Sequence, residues 1–237
     1  MHKVISFGHR CTTASFLKML NLKTESYPFD WVVSKLQVIQ HCIETSFQDF
    51  LNVNNYITVN TETYNLTDNI KTHVCYETIQ VNKFYENGEN RVNGEKSTYS
   101  YQLALTHHNL CNDNDTEYFK RCVDRLYELF LTDTKKYYVY FHPVIGNNDF
   151  TNNQTILDDF ENFNKFIIKQ TNIFGIYFIP IKYNSTNEKS IKIKETDNYV
   201  VFVLYCDDNF IDGGGTFSGN YHAVEVEALT ILNTYFM

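Results

Sequence analysis

The sequence predicts an α/β protein: a mixed, largely parallel sheet flanked by helices, with an α+β N-terminal half and a β-rich insert. Two observations predict this class. After residue 115, short apolar runs alternate with segments whose apolar residues recur every three or four positions, which is typical of parallel strands joined by helices. Between residues 56 and 101, Thr, Tyr, Val and Asn are frequent and no helical period is present, which favours strands.

The N-terminal half begins with short elements. Residues 4–7, VISF, form an apolar run that suits a buried strand, and a helix is expected over residues 12–20. Ser34, with Gln37 three positions later, has the spacing of a capping box and is expected to open a second helix. Within the insert, placed at about residues 55–101, "HVCYETIQV" predicts a strand. "YENGENRVNGEKST", with two Asn-Gly pairs, predicts exposed turns or a hairpin tip.

The C-terminal half holds the most apolar strand patterns, "KKYYVYFHP", "IFGIYFIPI" and "NYVVFVLYC". Helices are predicted where apolar residues recur with helical spacing, over 119–129, 157–167 and 224–235. The chain has 237 residues, of which 43% are hydrophobic, including 19 Phe and 18 Tyr. That length and that aromatic content suit one domain, residues 1–237, with a packed core.

Composition argues against several classes of function and location. The formal net charge is −8 and the basic residues are spread along the chain, which disfavours binding to nucleic acid or to an anionic membrane. No signal-peptide pattern and no run of 18 apolar residues is present. The six cysteines lie far apart without a CxxC pair, as expected for reduced thiols. We therefore expect a cytoplasmic protein (in the host cytoplasm if the gene is viral), neither secreted nor membrane-spanning; the oligomeric state stays open.

Cys11 is the first candidate for chemistry. It lies where the predicted first strand turns at Gly8 into a helix, so the helix N-terminus would favour its thiolate. Free backbone N–H groups beyond Gly8 could hold an oxyanion, and His9 and Arg10 add positive charge nearby. The alternative is a structural cysteine that happens to lie near a turn.

Four histidines are eligible as the base that a thiol nucleophile needs. His107, His108 and His142 end predicted strands, and His222 lies at the start of the last helix. In open α/β sheets, sites gather at such strand ends. A metal site formed by His107, His108 and Cys111 would lack the second half of a zinc motif, so neither metal nor cofactor is expected.

A glycine-rich segment, "IDGGGTFSGN" at residues 211–220, holds four of the nine glycines. It matches neither phosphate-binding glycine pattern. It could form an active-site lid or an ordinary loop. The nearby Asp207, Asp208 and Asp212 could bind a cation or simply be solvated.

Two segments, "SFGHRCTTASFL" and "SYPFDWVVS", resemble the S-x-G-x-x-C…PFDW signature of a family known as papain-like cysteine peptidases, otherwise uncharacterised, from bacteria and large DNA viruses. Gly8, Cys11 and residues 28–31 fall where the signature expects them, and Trp31 is the single tryptophan. Further on, "THHNL" is similar to the family's His-Asp-Phe segment and points to His108. "FKRCVDRL", "YYVYFH" and "GNYH" are similar to later family segments.

The resemblance implies a Cys–His enzyme that hydrolyses a peptide or isopeptide bond of a protein or peptide substrate. Cys11 would be the nucleophile and His108 the base. Asp30 would either orient the histidine or act as a clasp that holds the PFDW loop against the Cys11 helix, and the clasp is favoured. Alternative orienting groups are Asn147, Asn148 and Asp149. Oxyanion and substrate-binding roles would fall to Gly8, His9, Trp31, His107, His142 and His222.

Two departures keep rival functions open. No Gln precedes Cys11 as the oxyanion donor of papain-type enzymes, and the alternating second half is more doubly wound than a papain fold. One rival is a Rossmann-like transferase acting on sugars, in which Arg121, Arg125 and the "DDNFIDGGG" loop bind an anionic donor. The other is a non-catalytic viral interaction or scaffold protein.

Overall fold

A computed structural model describes the chain except for residues 1, 9–10, 61–77, 93–94, 102, 106, 143–144, 147–153, 183–189, 207–222 and 237. Across the described residues there are twelve strands and six α-helices. The strands are β1 His2–Ser6, β2 Val32–Ser34, β3 Tyr56–Asn60, β4 Thr78–Asn82, β5 Glu86–Val92, β6 Glu95–Tyr101, β7 Leu103–Leu105, β8 Lys135–Phe141, β9 Ile145–Gly146, β10 Ile173–Lys182, β11 Ile191–Glu195 and β12 Tyr199–Cys206. The helices are α1 Cys11–Met19, α2 Leu36–Glu44, α3 Gln48–Leu51, α4 Asp113–Phe130, α5 Gln154–Gln170 and α6 Ala223–Phe236.

The central sheet has the strand order β1-β8-β10-β12-β11. The first four strands are parallel, β11 closes one edge antiparallel to β12, and β9 adds a short parallel pairing with β10. Both faces of this sheet are covered, which explains why its strands are nearly continuous apolar runs. Val4, Val139 and Phe178 face α1 and α6, whereas Tyr138 and Tyr177 face α2, α4 and α5.

The β-rich insert forms a second, antiparallel sheet of order β2-β7-β4-β3, and a separate β5–β6 hairpin. Val32 pairs with Leu105 and Ser34 with Leu103, so the short β2 strand joins the insert to the segment that follows α1. Side chains of this sheet share a core with the central sheet: Val32 and Leu105 belong to the same buried cluster as Tyr138.

The fold class predicted from the sequence, with its β-rich insert, is confirmed, and the structure shows that the strands of the insert pair antiparallel. The Asn-Gly-rich stretch forms the β5–β6 hairpin, and of "HVCYETIQV" the part from Thr78 onward lies in β4, while its first residues fall outside the described part. The predicted capping box is wrong. Ser34 lies in β2, and α2 begins at Leu36 after Lys35, which makes no side-chain cap. The Ser34 hydroxyl bonds to another loop instead, as described below.

Helix α4 has the features that its sequence predicts. The side chain of Asn112 caps it by accepting from the Asn114 N–H at 3.0 Å, and Asp113 and Asp115 lie in its first turn. Acidic groups are favoured at this end of a helix dipole. The buried face consists of Phe119, Cys122, Val123, Leu126, Leu129 and Phe130. The capped end of α4 directly follows the predicted catalytic histidine, so it positions part of the site.

Candidate active site

Cys11 is the first residue of α1 and lies just beyond the carboxyl end of β1. The Phe7 N–H extends the β1–β8 ladder by donating to the Val139 carbonyl at 3.0 Å. The Gly8 carbonyl accepts a 3.5 Å hydrogen bond from Ser34 Oγ, which joins the turn after β1 to β2. Cys11 is partly exposed. Its thiol therefore belongs to the amino end of a helix, where the helix dipole favours an anion.

The chain leaves β1 and β8 toward opposite faces of the central sheet. After β1 it enters α1, which packs on the face that carries Val4. The next helix that the structure describes after β8 is α5, which packs on the other face with Tyr138. In open α/β sheets, ligands bind at the carboxyl ends of adjacent strands from which the chain diverges in this way. Cys11 follows one of these two strands, and His142, partly exposed, follows the other.

Asp30 is buried and holds two segments together. Its Oδ2 accepts hydrogen bonds from the Lys23 ammonium and, at 2.9 Å, from the Tyr27 N–H. Its Oδ1 is buried and has no hydrogen-bond partner among the described residues. Burial raises the pKa of Asp30 from 3.8 to about 6, although Lys23 and the Tyr27 N–H oppose the rise. The side chain thus links the PFDW turn to the residues just after α1, which is the geometry of a clasp.

Phe29, in the same turn, is fully buried and packs its ring against Phe7, Phe47 and Phe50, with centroids 6.1, 5.6 and 5.9 Å away. Trp31 follows at the start of β2. Because Val32 pairs with Leu105, the residues just beyond that pair come close as well, and the rings of Trp31 and His107 meet edge to face with centroids 5.8 Å apart. Partial burial, together with the charge of His108, lowers the pKa of His107.

His108 is held by the first two turns of α4. Its Nδ1 lies 3.0 Å from Asp115 Oδ1, and the second oxygen of that carboxylate accepts from the Asn109 N–H at 2.8 Å. The ring stacks on Tyr118, with centroids 4.7 Å apart and planes 17° apart, and meets Phe119 edge to face at 5.2 Å. Partial burial acts to raise the pKa of Asp115, but the hydrogen bonds from Asn109 and His108 outweigh it and hold that pKa below its usual range.

The turn between His108 and α4 is fixed by a buried glutamine of the antiparallel sheet. Gln80, on β4, accepts from the Leu110 N–H at 2.8 Å through its Oε1 and donates to Cys111 Sγ at 3.5 Å. Thr116 Oγ1 donates to the Leu110 carbonyl at 2.7 Å. The position of the histidine thus depends on both the insert and α4.

The structure places the sequence-predicted residues in three groups: Gly8 with the start of the Cys11 helix, Trp31 with His107, and His108, whose partner Asp115 was not predicted. Asp30 belongs to none of them, since its hydrogen bonds go to Lys23 and the Tyr27 N–H. Among the described residues, no hydrogen bond joins the Cys11 thiol to the His108 ring.

Several predicted residues fall outside the described part of the chain. They are His9, Arg10, Asn147, Asn148, Asp149, Asp207, Asp208, Asp212, the segment 211–220 and His222. Of the two arginines proposed to bind an anion, Arg125 donates to the Ser26 carbonyl at 3.3 Å, and Arg121 is exposed.

Asp115 was missed by the sequence reasoning. Its only signal there is its place in the first turn of a helix, where acidic residues are common for reasons of helix stability. The pairing with a histidine seven positions earlier depends on how the intervening turn folds, and the hydrogen bonds of Gln80 determine that fold.

The cysteines differ in environment. Of the free thiols in the described part, Cys42 and Cys122 are buried, Cys111 is exposed and Cys11 is partly exposed. Burial raises the pKa of Cys42 to about 12, despite a hydrogen bond with Tyr85.

No group of three His, Cys, Asp or Glu residues that could hold a metal ion occurs among the described residues. In the same part of the chain, every helix is too short or too polar to cross a membrane.

Comparison with curated proteins and with solved structures found no match. A match to a family was found, and it covers Cys11, the PFDW turn, His108 and Asp115. Residues 2–179, well over half of the chain, match the family described as "Putative papain-like cysteine peptidase (DUF1796)", and the chain belongs to that family.

Proposed function

We propose that the protein is a cysteine-dependent hydrolase that cleaves a peptide or isopeptide bond, with Cys11 as nucleophile and His108 as general base. Membership of the family supports the reaction class, and the matched region contains both residues. The substrate is then a protein or peptide. The four cysteines whose side chains the structure describes form no disulfide, which suits a reducing compartment such as the cytoplasm.

The observation that carries the proposal is the position of Cys11 at the first residue of α1, just beyond the carboxyl end of β1, which pairs with β8. A thiolate is the reactive form of cysteine, and the amino end of a helix stabilises it. The amino end of the helix carries the positive end of its dipole, which would favour the oxyanion that forms on the substrate carbonyl. No glutamine is needed for that role.

The proposed reaction has two steps. The Cys11 thiolate attacks the carbonyl carbon, and His108, in its protonated form, gives its proton to the leaving amine as the C–N bond breaks. A thioester on Cys11 remains. His108 then takes a proton from water, the resulting hydroxide attacks the thioester, and the C–S bond breaks to release the acid and the thiolate. Catalytic hydrogen bonds often tighten only when substrate binds, so the pair need not be hydrogen-bonded beforehand.

The test is the rate at which iodoacetamide alkylates each cysteine, measured by mass spectrometry as a function of pH. Cys111 is an internal control, because it is exposed but lies in a turn before α4 rather than in the first turn of a helix. We expect Cys11 to react with a midpoint well below ~8.5, the ordinary value for a thiol, and to lose this advantage in His108→Ala. If Cys11 reacts no faster than Cys111, the proposal is wrong.

The matched variant His142→Ala separates the two histidines. His142 follows β8, which pairs with β1, so it is the residue that would replace His108 as base. If the reactivity of Cys11 falls in His142→Ala and not in His108→Ala, the base is misassigned while the cysteine chemistry stands.

One observation favours a second candidate, a Rossmann-like transferase: the parallel sheet is covered by helices on both faces, and such sheets bind ligands at their carboxyl edge. A transferase would bind a nucleotide sugar, measurable by calorimetry, and its activity would survive Cys11→Ser. The hydrolase would lose its activity in that variant.

A further inference from the structure

We propose that Asp115 is the positioning residue of the His108 base, a role that rests on the proposed function above. It would hold the imidazole in the tautomer that carries its proton on Nδ1, and it would stabilise the imidazolium formed when His108 takes up a proton. Carboxylates that bond to the far nitrogen of a catalytic histidine act in this way.

The carboxylate is placed so that both of its oxygens are used. Oδ1 lies 3.0 Å from His108 Nδ1, and Oδ2 accepts from the Asn109 N–H at 2.8 Å. A carboxylate only accepts hydrogen bonds, so the Nδ1 of His108 must be the donor. The proton is thereby assigned to Nδ1, and Nε2 keeps its lone pair in the neutral ring.

The ring is also fixed in orientation. Tyr118 stacks on one face at 4.7 Å and Phe119 meets it edge to face at 5.2 Å, both from α4. Among the described residues, no hydrogen bond is made by Nε2. The one nitrogen that a base needs is therefore the one without a partner in this part of the chain.

The environment distinguishes this pair from an ordinary surface ion pair. The side chains are only 19% and 25% exposed, and the turn between them is held by Gln80 through the Leu110 N–H. The titratable groups around His108 are Asp115 and Tyr118 on α4 and the neighbouring His107. Asp115 is the acidic group among them, so it is the one that can favour the charged ring.

The experiment compares Asp115→Asn with Asp113→Asn. Asp113 lies in the same first turn but is exposed, so it controls for the loss of one acidic charge near the helix start. Asn at 115 keeps an acceptor for the Asn109 N–H, which preserves the turn. The pKa and tautomer of His108 are read from its imidazole resonances by NMR, and Cys11 alkylation by iodoacetamide is followed from pH 5 to 9.

In Asp115→Asn, we expect the Nδ1–H tautomer of His108 to lose its dominance, because the carboxylate that accepts the Nδ1 proton is gone. Cys11 alkylation near pH 6 should fall by about tenfold, the size expected when one charge-assisted hydrogen bond to the histidine is removed. Asp113→Asn should change neither quantity.

The outcomes separate the two proposals. If alkylation falls in His108→Ala but not in Asp115→Asn, or if the His108 tautomer is unchanged in Asp115→Asn, the positioning role is overturned and the hydrolase stands. If the His108 resonances move in Asp115→Asn but Cys11 alkylation falls in neither variant, the hydrolase fails, and the positioning role fails with it, which leaves a structural ion pair.

Discussion

The clasp formed by Asp30 gives a quantitative prediction about stability and pH. Two effects compete at this carboxyl group: burial disfavours its charge, whereas Lys23 and the Tyr27 N–H favour it. Burial dominates, and the pKa is raised from 3.8 to about 6. At about 1.4 kcal/mol for each pH unit, this rise corresponds to about 3 kcal/mol of folding free energy.

The direction follows from proton binding. The native carboxyl holds its proton more tightly than the unfolded one, so between about pH 4 and pH 6 the native state binds more protons. Its contribution to the free energy of unfolding is therefore largest in acid, declines as the pH rises through that window, and is lost above about pH 6.

Urea unfolding of the wild type and of Asp30→Asn at pH 4, 5, 6 and 7 isolates this contribution, since other titrating groups cancel in the difference. We expect the stability of the wild type relative to Asp30→Asn to fall by about 2–2.5 kcal/mol across the series, because the rest of the change lies below pH 4. Glu25→Gln controls for the loss of one carboxylate, because Glu25 lies in the same segment and is exposed. A difference that rises with pH would show that the Lys23 ion pair outweighs burial and would refute the reasoning.

Three further predictions concern buried groups. A Cβ on Gly175 would lie 2.5 Å from Cζ and Oη of Tyr138, so Gly175→Ala should lower the free energy of unfolding by about 1–3 kcal/mol, measured in urea. Gln80→Leu removes the acceptor of the Leu110 N–H and should cost about 1–3 kcal/mol, with faster hydrogen exchange at that amide and not at distant strands. Cys42 is buried, and burial raises its pKa to about 12, so it should resist alkylation until the protein unfolds; labelling of the native protein at pH 8 would contradict this.

Much of the central sheet was predictable because its strands are apolar along their whole length. "YYVYF" and "NYVVFVLYC" can be buried on both faces only between two helical layers, and periodicity then predicts the helices. The position of Ser34 was not predictable from its spacing. The sequence around Ser34 fits a capping box and a strand residue equally well. The difference lies in the partner of its hydroxyl, the carbonyl of Gly8, which is 26 residues away in the sequence and cannot be identified from local spacing.

Only the part of the site that lies within one short sequence motif could be predicted from the sequence. Cys11 was identified because a strand, a turn and a helix follow each other within a dozen residues. The partner of His108 was missed for the opposite reason: Asp115 has an ordinary explanation in the first turn of α4, and only the turn held by Gln80 brings it to the ring.

The short pairing of β2 with β7 connects the residues proposed to act with Cys11 to the edge of the central sheet. β2 has three residues, yet Ser34 bonds to the Gly8 carbonyl at one end, and Trp31 meets His107 just beyond the other. The pairing of β2 with β7 fixes which residue of the insert lies beside Trp31. Since a shift of one residue turns every side chain to the opposite face of a strand, this ladder must keep its register for the histidine turn to lie where it does. The 103 residues from Val32 to Thr134, which separate the start of β2 from β8, therefore supply the proposed base to the sheet edge at which Cys11 lies.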